Sequence, residues 1–237
     1  MVPVSFVPLS FAGHAMQLAD GRALFWPAES ALLVADLHLE KGSWYAARGS
    51  MLPPYDSRAT LERLTAVAAA TGARRVIALG DNFHDDNGAE RLDPDSRALL
   101  EGLARGHDLV WITGNHDEHL PYGFGGTILP ELVLDGITLR HEAREGETAH
   151  EVSGHYHPKL RIRVRNRHIV RPCAVLARQA APGGAQRLIL PAFGSLTGGL
   201  DAAAPEIARA LQPHDIIEAL VPAKGQIARF SLSLRAA

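Results

Sequence analysis

The chain has 237 residues, 46% of them hydrophobic and 21% charged, which is typical of one soluble globular domain and excludes a disordered chain, a coiled coil or a collagen. Its formal net charge of −2 excludes a strongly basic protein, so an affinity for nucleic acid or for a membrane must come from a local patch. The single cysteine, Cys173, excludes an internal disulfide framework and a multi-cysteine metal site, and it favours a reducing, cytoplasmic compartment.

The predicted elements begin with an edge strand and a hairpin. The segment from Met1 to Ala19 is apolar but has no Lys or Arg before Arg22, so we expect a strand there and not a secretory signal. Apolar runs at residues 16–19 and 23–26 flank Asp20-Gly21, a dipeptide typical of a β-hairpin turn.

Strand and helix patterns then alternate through residue 113. Continuous apolar runs at residues 31–35, 76–79 and 109–112 predict strands buried on both faces. Helices are predicted over residues 56–71 and 93–105, because Asp56 and Asp93 can each cap a helix N-terminus. This alternation indicates an α/β architecture with parallel core strands.

The second half of the chain has a different pattern. Strand pairs are predicted over residues 132–139, 160–175 and 216–234, each with a turn between its two apolar runs. No linker is long enough to divide the chain. We therefore expect a single domain over residues 1–237, with a mostly antiparallel second sheet.

Side chains that can bind a metal ion follow the predicted strands, at the points where the strands end. Asp36-Leu37-His38, Gly80-Asp81 and Gly114-Asn115-His116-Asp117 follow the three buried strands. His141 and Gly154-His155-Tyr156-His157 come later in the chain. Because ligands of open α/β sheets bind at the carboxyl ends of strands, we expect these residues to converge on one site.

The residue types point to divalent metal ions. Asp, His and Asn without Cys form a mixed oxygen and imidazole ligand set that suits Mn²⁺, Fe²⁺ or Zn²⁺. On an extended segment, side chains two residues apart point to the same side, so Asp36 with His38, and His155 with His157, can each bind one centre. The candidate ligands exceed the needs of one ion and fit two ions that share a carboxylate, an arrangement that can hold the attacking and leaving oxygens of an in-line phosphoryl displacement.

These segments resemble the signature of the calcineurin-like metallophosphoesterase superfamily. The resemblance implies an α/β fold, a metallophosphoesterase-type β-sandwich flanked by helices (αββα), with a dinuclear metal site at the carboxyl-terminal ends of the strands. The residues that would hold one ion are Asp36, His38, Asp81 and His157. The residues that would hold the other are Asp81, Asn115, His141 and His155, so that Asp81 bridges the two.

The resemblance also implies a reaction. A metal-activated hydroxide would attack phosphorus, and His116, which matches a family histidine that faces the leaving group without binding metal, would protonate the departing alkoxide. We expect Asp85 or Asp117 to orient the His116 imidazole. Many members read Gly-Asp-x-x-Asp, whereas Asp85 follows Asp81 after three residues. Asp86-Asn87-Gly88 then stands where phosphoprotein phosphatases and diadenosine tetraphosphate hydrolases have Arg-Gly, which argues against assigning the chain to either group.

A narrower resemblance covers most of the chain. It rests on residues 36–42 (DLHLEKG), 52–56 (LPPYD), 80–85 (GDNFHD) and 190–199 (LPAFGSLTGG). These segments are similar to those of the bacterial ligase-associated DNA-damage-response phosphoesterases, the PdeM group. The similarity implies two divalent ions, with manganese as the usual metal, an endonuclease role in DNA repair, and functional association with a DNA ligase and a helicase.

A run of cations follows the last candidate ligand. The cations are Lys159, Arg161, Arg163 and Arg165, and the apolar residues between them are Leu160, Ile162 and Val164. In a strand, this alternation places the cations on one face and the apolar side chains on the core face. The cationic face can bind the phosphates of a nucleic acid that leads to the metal site. It can equally be a solvated outer face, or a charged edge that resists aggregation.

Three functions stay open. The leading hypothesis is a dinuclear-metal-dependent phosphodiesterase that acts on DNA. The first alternative is a phosphodiesterase of small nucleotides or cyclic nucleotides, for which the basic strand would be idle. The second is a non-catalytic binding scaffold on a metallophosphatase fold, against which the complete ligand set argues because unused buried charges are unfavourable. No membrane partner is expected, and a homodimer stays open.

Overall fold

Two sheets pack face to face, and helices cover their outer faces. The computed structural model describes residues 4–19, 21–50, 52–53, 55–117 and 123–232, with Val164 described by its backbone. Within these residues each of the two large sheets has seven strands, and a separate two-stranded hairpin extends the second half of the chain.

The first sheet is antiparallel at one end and parallel at the other. Its strands, in spatial and chain order, are β1 (Phe6–Phe11), β2 (His14–Ala19), β3 (Ala23–Trp26), β4 (Ala31–Val34), β5 (Arg75–Leu79), β6 (Asp108–Ile112) and β7 (Thr127–Leu129). β1 to β4 pair antiparallel, and β4 to β7 pair parallel. The predicted edge strand, the hairpin and the parallel core strands are therefore confirmed, although Asp20 lies outside the described residues.

The second sheet is mostly antiparallel, as predicted. Its strands are β8 (Glu131–Leu134), β9 (Ile137–Arg140), β10 (His150–Ser153), β13 (Ala174–Arg178), β14 (Gln186–Ile189), β15 (Ile216–Ala223) and β16 (Gln226–Ser231), in the spatial order β16-β15-β13-β14-β10-β9-β8. Only β10 pairs parallel, with β9 on one side and β14 on the other. The separate hairpin consists of β11 (Lys159–Val164) and β12 (Arg167–Pro172).

Five α-helices occur in the described part of the chain. They are α1 (Lys41–Ala46), α2 (Asp56–Thr71), α3 (Gly88–Arg91), α4 (Pro94–Gly106) and α5 (Pro205–Ala210). Asp93 caps α4 as predicted, because its carboxylate accepts hydrogen bonds from the first-turn N–H groups of Asp95 and Ser96. The cap predicted for Asp56 is wrong. Asp56 is the first residue of α2, and its carboxylate instead accepts a hydrogen bond from the N–H of Gly42 in α1 at 2.9 Å.

Three apolar layers hold these elements together. Leu64 of α2 and Leu100 of α4 pack on one face of the first sheet, whose other face packs against the second sheet through side chains such as Ile77 and Val152. Ile207 of α5 packs on the outer face of the second sheet. Each fully buried aliphatic side chain stabilises the fold by about 1.5–3 kcal/mol. The resulting order, helices, sheet, sheet, helix, is the predicted αββα sandwich.

The carboxyl ends of five strands meet at one edge of the sandwich. These strands are β4, β5, β6, β9 and β10. Backbone hydrogen bonds join the segment after β4 to the segment after β5, and the segment after β9 to the segment after β10. The N–H of His38 donates to the carbonyl of Asp81 at 2.9 Å, and the N–H of Gly154 donates to the carbonyl of His141 at 2.8 Å. Residues that are distant in sequence are thereby fixed next to one another.

Candidate metal centre

The structure brings the seven candidate ligands together at this edge of the sandwich. Six of them form two groups in which the ligand atoms lie within 4.8 Å of one another: Asp36, His38, Asp81 and His157 in the first, and Asp81, His141 and His155 in the second. The seventh, Asn115, contacts the second group. Both groups contain Asp81, and they divide the residues in the way that the family resemblance implied.

In the first cluster, two imidazoles and two carboxylates converge. The Nε2 atoms of His38 and His157 are 3.1 Å apart. Nε2 of His38 lies 3.5 Å from Oδ2 of Asp81, and Nε2 of His157 lies 3.6 Å from Oδ1 of Asp36. Two nitrogens and two oxygens that face one point are a ligand set suited to a divalent first-row metal.

The second cluster is built around His141. Its Nε2 lies 3.0 Å from Oδ1 of Asn115, 3.1 Å from Nδ1 of His155 and 3.3 Å from Oδ1 of Asp81. Its Nδ1 donates a hydrogen bond to the carbonyl of Leu79 at 3.0 Å. Because that bond places the proton on Nδ1, the lone pair of Nε2 faces the cluster, as a metal ligand requires.

The two oxygens of Asp81 face different clusters. Oδ2 points to His38 in the first cluster and Oδ1 to His141 in the second. The N–H of His116 also donates to Oδ1 at 3.1 Å, which helps to fix the carboxylate. A carboxylate in this position can bridge two ions.

Five candidate ligands have a left-handed backbone conformation. They are Asp36, His38, Asp81, His155 and His157, with φ between 44° and 72°. The prediction that Asp36 with His38, and His155 with His157, lie on extended segments is therefore wrong. Asp36 and His38 lie in one cluster, whereas His155 and His157 belong to different clusters. Left-handed non-glycine residues cost about 1–3 kcal/mol each and are concentrated at functional sites.

Two glycines allow the segments to approach this closely. A Cβ atom on Gly114 would lie 2.2 Å from the backbone nitrogen of Asp81, and one on Gly80 would lie 2.4 Å from Nδ1 of His141. Gly80 also has a φ of +77°, which side-chain-bearing residues rarely adopt. The glycine before Asp81 and the glycine before Asn115 are therefore part of the geometry of the centre.

The electrostatics of the centre fit bound cations. Asp36 and Asp81 are 0% and 2% exposed, and their ion-pair partners among the described residues are histidines. Burial lowers the pKa of His38 far below its usual range, and burial also lowers the pKa of His155. Among the described residues neither carboxylate has a Lys or Arg within ion-pair distance, and buried carboxylates are usually paired or bind metal ions. The residues present therefore fit divalent metal ions.

His116 lies at the mouth of the centre, with 39% of its side chain exposed. Its Nδ1 donates to the carbonyl of His84 at 3.0 Å, so its Nε2, 3.9 Å from Oδ2 of Asp81, faces the centre. The imidazole is thus oriented by a backbone carbonyl. The expectation that Asp85 or Asp117 orients it is wrong.

Asp85 and Asp117 form their hydrogen bonds with groups other than the His116 imidazole. Asp85 forms a two-pronged ion pair with Arg91, at 2.5 and 3.1 Å. Asp117 is buried and accepts hydrogen bonds from the backbone N–H groups of Asn82, Phe83 and Gly114 at 2.7, 3.1 and 2.9 Å. Asp117 therefore joins the segment that carries Asp81 to the segment that carries Asn115.

Two residues near the centre were not assigned a role from the sequence. The ring of His84 stacks on that of His116, with centroids 5.0 Å apart, and Nδ1 of His84 is 3.5 Å from Nδ1 of His38. The ammonium of Lys41 acts electrostatically on His38 and Asp81, and burial lowers the pKa of Lys41. Lys41 lies in the motif at residues 36–42 and His84 in the motif at residues 80–85, and both motifs carry the narrower family resemblance. Membership of these motifs is the sequence feature that could have pointed to the two residues.

The predicted basic strand forms one side of the exposed hairpin. Leu160 is buried and Arg161 and Arg163 are exposed, as the alternation predicts. The prediction for Arg165 is wrong, because β11 ends at Val164 and Arg165 lies in the turn with a φ of 45°. The side chain of Val164 lies outside the described atoms. β12 adds further arginines, so that residues 159–172 contain six Lys or Arg and no Asp or Glu.

A family model described as calcineurin-like phosphoesterase matches residues 30–213, a range that contains both clusters. The chain belongs to the calcineurin-like phosphoesterase family. Members of this metallophosphoesterase family hydrolyse phosphoester bonds with divalent metal ions. The family match therefore supports three predictions: the fold, the hydrolysis of phosphoester bonds and the need for a divalent metal.

Solved structures include several that are similar to this calcineurin-like phosphoesterase. The structure of Pseudomonas putida nuclease MPE is 28% identical, with a TM-score of 0.68, over 95% of this chain and 100% of that chain. The E. coli phosphoesterase Yfce is 16% identical, with a TM-score of 0.41, over 86% and 99% of the two chains. No curated protein sequence matches the chain. In the described part of the chain, no helix has the length and apolar character needed to span a membrane.

Proposed function

We propose that this calcineurin-like phosphoesterase is a dinuclear-metal-dependent phosphodiesterase that cleaves DNA. The observation that carries the proposal is the division of the ligands into two clusters, with one oxygen of Asp81 facing each. Two divalent ions held there would polarise a phosphodiester and activate water as the attacking group. The family resemblance implies manganese, and the mixed nitrogen and oxygen ligands suit Mn²⁺, Fe²⁺ or Zn²⁺.

The side chains around the clusters supply the remaining chemistry. Nδ1 of His116 is fixed on a carbonyl oxygen, so a protonated His116 presents an Nε2–H donor to the leaving oxygen. General-acid catalysis of this kind contributes about 10²–10⁴-fold. Oδ1 of Asn115 faces His141, which leaves the Nδ2–H groups of its amide to donate to a phosphate oxygen.

Two observations support DNA as the substrate. The solved structure with the TM-score of 0.68 is that of a protein named as a nuclease. The basic hairpin, residues 159–172, begins two residues after His157 and concentrates six Lys or Arg in a chain whose net charge is −2. Such a local patch suits the phosphates of a nucleic acid. The proposal includes the DNA-repair role beside a DNA ligase and a helicase that the sequence resemblance implies.

A comparison of three substrates tests the proposal. The purified protein is loaded with Mn²⁺ and given bis-p-nitrophenyl phosphate, p-nitrophenyl phosphate and end-labelled DNA. We expect cleavage of the diester and the DNA, and much slower hydrolysis of the monoester. Asp81→Asn should abolish cleavage, whereas the matched variant Asp135→Asn, in the exposed turn between β8 and β9, should keep it.

The other outcomes favour the alternatives. Cleavage of the small diester without cleavage of DNA would favour a phosphodiesterase of small nucleotides and would leave the basic hairpin without a role. No turnover of any substrate by the metal-loaded protein would favour a binding scaffold. Wild-type turnover by Asp81→Asn would contradict the role of the shared carboxylate.

A further inference from the structure

An aromatic wall, made of His116, His84 and Tyr45, leads outward from the mouth of the centre. The rings of His116 and His84 are nearly parallel, at 20°, with centroids 5.0 Å apart. The rings of His84 and Tyr45 are nearly parallel as well, at 18°, with centroids 6.0 Å apart. Within the described part of the chain no ring contact joins Tyr45 to His116, so His84 separates them. The wall thus begins at the histidine that faces the centre and ends at Tyr45.

Tyr45 is the end of the wall that solvent reaches. It is partly exposed, whereas His84 is only 8% exposed. The Tyr45 hydroxyl makes no hydrogen bond with any residue that the structure describes, so hydrogen bonding does not account for its position. A partly exposed aromatic ring beside the reacting groups offers a flat apolar surface to a ligand.

Neighbouring side chains hold Tyr45 in place. The Trp44 ring contacts both the Tyr45 ring and the His84 ring edge-on, with centroids 5.0 Å apart in each case. Arg91 joins α3 to α1, because its Nε donates to Oγ of Ser43 at 2.9 Å. A ring that is fixed in this way loses little conformational entropy when a ligand binds on it.

A cation lies next to the wall. The guanidinium carbon of Arg48 is 3.7 Å from the centroid of the Trp44 ring, and Nη1 of Arg48 donates to the Trp44 carbonyl at 3.0 Å. Arg48 is exposed, and among the described residues it has no Asp or Glu within ion-pair distance. An aromatic ring beside an exposed cation suits a nucleotide, whose base stacks on the ring and whose phosphate is attracted by the cation.

We propose that Tyr45 is a stacking site for a nucleobase of the nucleotide next to the phosphodiester at the metal centre. This inference rests on the proposed function, because it places the reacting phosphodiester at the two clusters, beside His116. It makes the base a part of what the enzyme recognises. A phosphodiester with a nucleobase next to the reacting phosphate uses the site, and a diester without a base does not. Because every nucleobase has a π-face, the site accepts all four bases.

Dinucleotides that lack one base test the inference. The substrates are thymidylyl-thymidine and two analogues in which a tetrahydrofuran residue replaces the 5′ or the 3′ nucleoside, each given to the Mn²⁺-loaded protein. We expect the loss of one of the two bases to lower kcat/KM about tenfold, the effect of one stacked base. Tyr45→Ala should lower kcat/KM for thymidylyl-thymidine by a similar factor, and it should leave kcat/KM for the analogue without this base unchanged.

Two variants control for indirect effects. Tyr45→Phe keeps the ring and should keep the preference for the base-bearing substrate. Tyr55→Ala removes a tyrosine that is 69% exposed and has no ring contact with the residues described, so it should keep the preference as well. Equal losses of activity on thymidylyl-thymidine and on the analogue in Tyr45→Ala would show that Tyr45 acts by supporting His84 and His116, and the inference would be wrong.

A binding measurement separates failure of the inference from failure of the proposed function. Calorimetry compares thymidine 3′- and 5′-monophosphates with the corresponding 1,2-dideoxyribose phosphates on the same metal-loaded proteins, and it requires no cleavage. We expect the base to tighten binding about tenfold at one of the two positions, and Tyr45→Ala to remove this gain. If dinucleotides are cleaved and neither base matters, or if Tyr45→Ala keeps the full preference in both measurements, the inference is wrong and the proposed function stands. If no dinucleotide is cleaved, the proposed function fails, and binding that does not depend on the base would then overturn the inference as well.

Discussion

Replacing Gly114 with Ala tests whether the close approach of two loops positions the shared carboxylate. The added Cβ would lie 2.2 Å from the backbone nitrogen of Asp81 and 2.3 Å from its Oδ1, where ordinary contacts begin near 3.4 Å. Gly114 cannot simply retreat, because its N–H is held by Asp117 at 2.9 Å. The clash must therefore displace Asp81.

The size of the displacement sets the expected loss of activity. Relief of the clash needs a shift of about 1 Å, and a misplacement of that size in a catalytic site costs about 100-fold in rate. We expect Gly114→Ala to lower kcat/KM for bis-p-nitrophenyl phosphate about 100-fold and to weaken metal binding at both clusters. Because the change also overpacks a buried loop, the free energy of unfolding should fall by about 1–3 kcal/mol.

Gly106→Ala is the matched control. Gly106 is the last residue of α4, and a Cβ there meets no atom within 4 Å. This variant should keep its activity and gain up to about 1 kcal/mol of stability from the better helix propensity of Ala. Diesterase kinetics, metal analysis and thermal unfolding of both variants complete the comparison. A Gly114→Ala protein with wild-type kcat/KM and wild-type metal content would refute the reasoning.

Three further changes have distinct expected results. His116→Ala should slow the release of a nucleoside alkoxide about 10²–10⁴-fold and that of nitrophenolate far less, since only the poorer leaving group needs a proton. Arg161→Gln combined with Arg163→Gln should make the salt dependence of DNA binding shallower, by about 0.7 per lost phosphate contact on single strands and about 0.9 on duplex. Arg187→Met should lower the free energy of unfolding by about 3 kcal/mol, because Glu151 is 0% exposed and loses a partner 3.0 Å away. Burial raises the pKa of Glu151, and Arg140 would remain as a partner 3.1 Å from its Oε2, so urea denaturation should show a deficit that grows as the pH rises and the carboxylate ionises.

Each of these expectations has a clear contrary result. Equal slowing of both leaving groups would assign His116 an electrostatic role. An unchanged salt slope in the Arg161 and Arg163 double variant, with the fold intact by circular dichroism and Arg74→Gln as the charge-matched control, would make the hairpin a solvated face. A deficit for Arg187→Met that does not grow with pH would show that the buried ion pair does not depend on the charge of Glu151.

The strands and the ligand types could be predicted because both depend on short stretches of neighbouring residues. The apolar runs that became β4, β5 and β6 are continuous and only four or five residues long, which favours buried strands over helices, and the side chains that can bind metal come shortly after them. Parallel strands place their carboxyl ends at one edge, so the convergence of Asp36 with Asp81 followed from the topology. The αββα layers followed from the resemblance.

The details that the sequence did not provide depend on contacts between distant segments. The left-handed turns at Asp36 and His157 are fixed by neighbouring loops, so a rule for extended chains assigned the wrong geometry. The orientation of His116 depends on a backbone carbonyl, which no side-chain motif reveals.

Metal stoichiometry gives the most direct test of the shared carboxylate. Protein stripped with a chelator is titrated with Mn²⁺ while bound metal and diesterase activity are measured on the same samples. We expect two ions per chain, activity that rises with occupancy of the second, and weakened binding of both ions in Asp81→Asn. Full activity with one bound ion, or two tightly bound ions and full turnover in Asp81→Asn, would contradict the dinuclear centre.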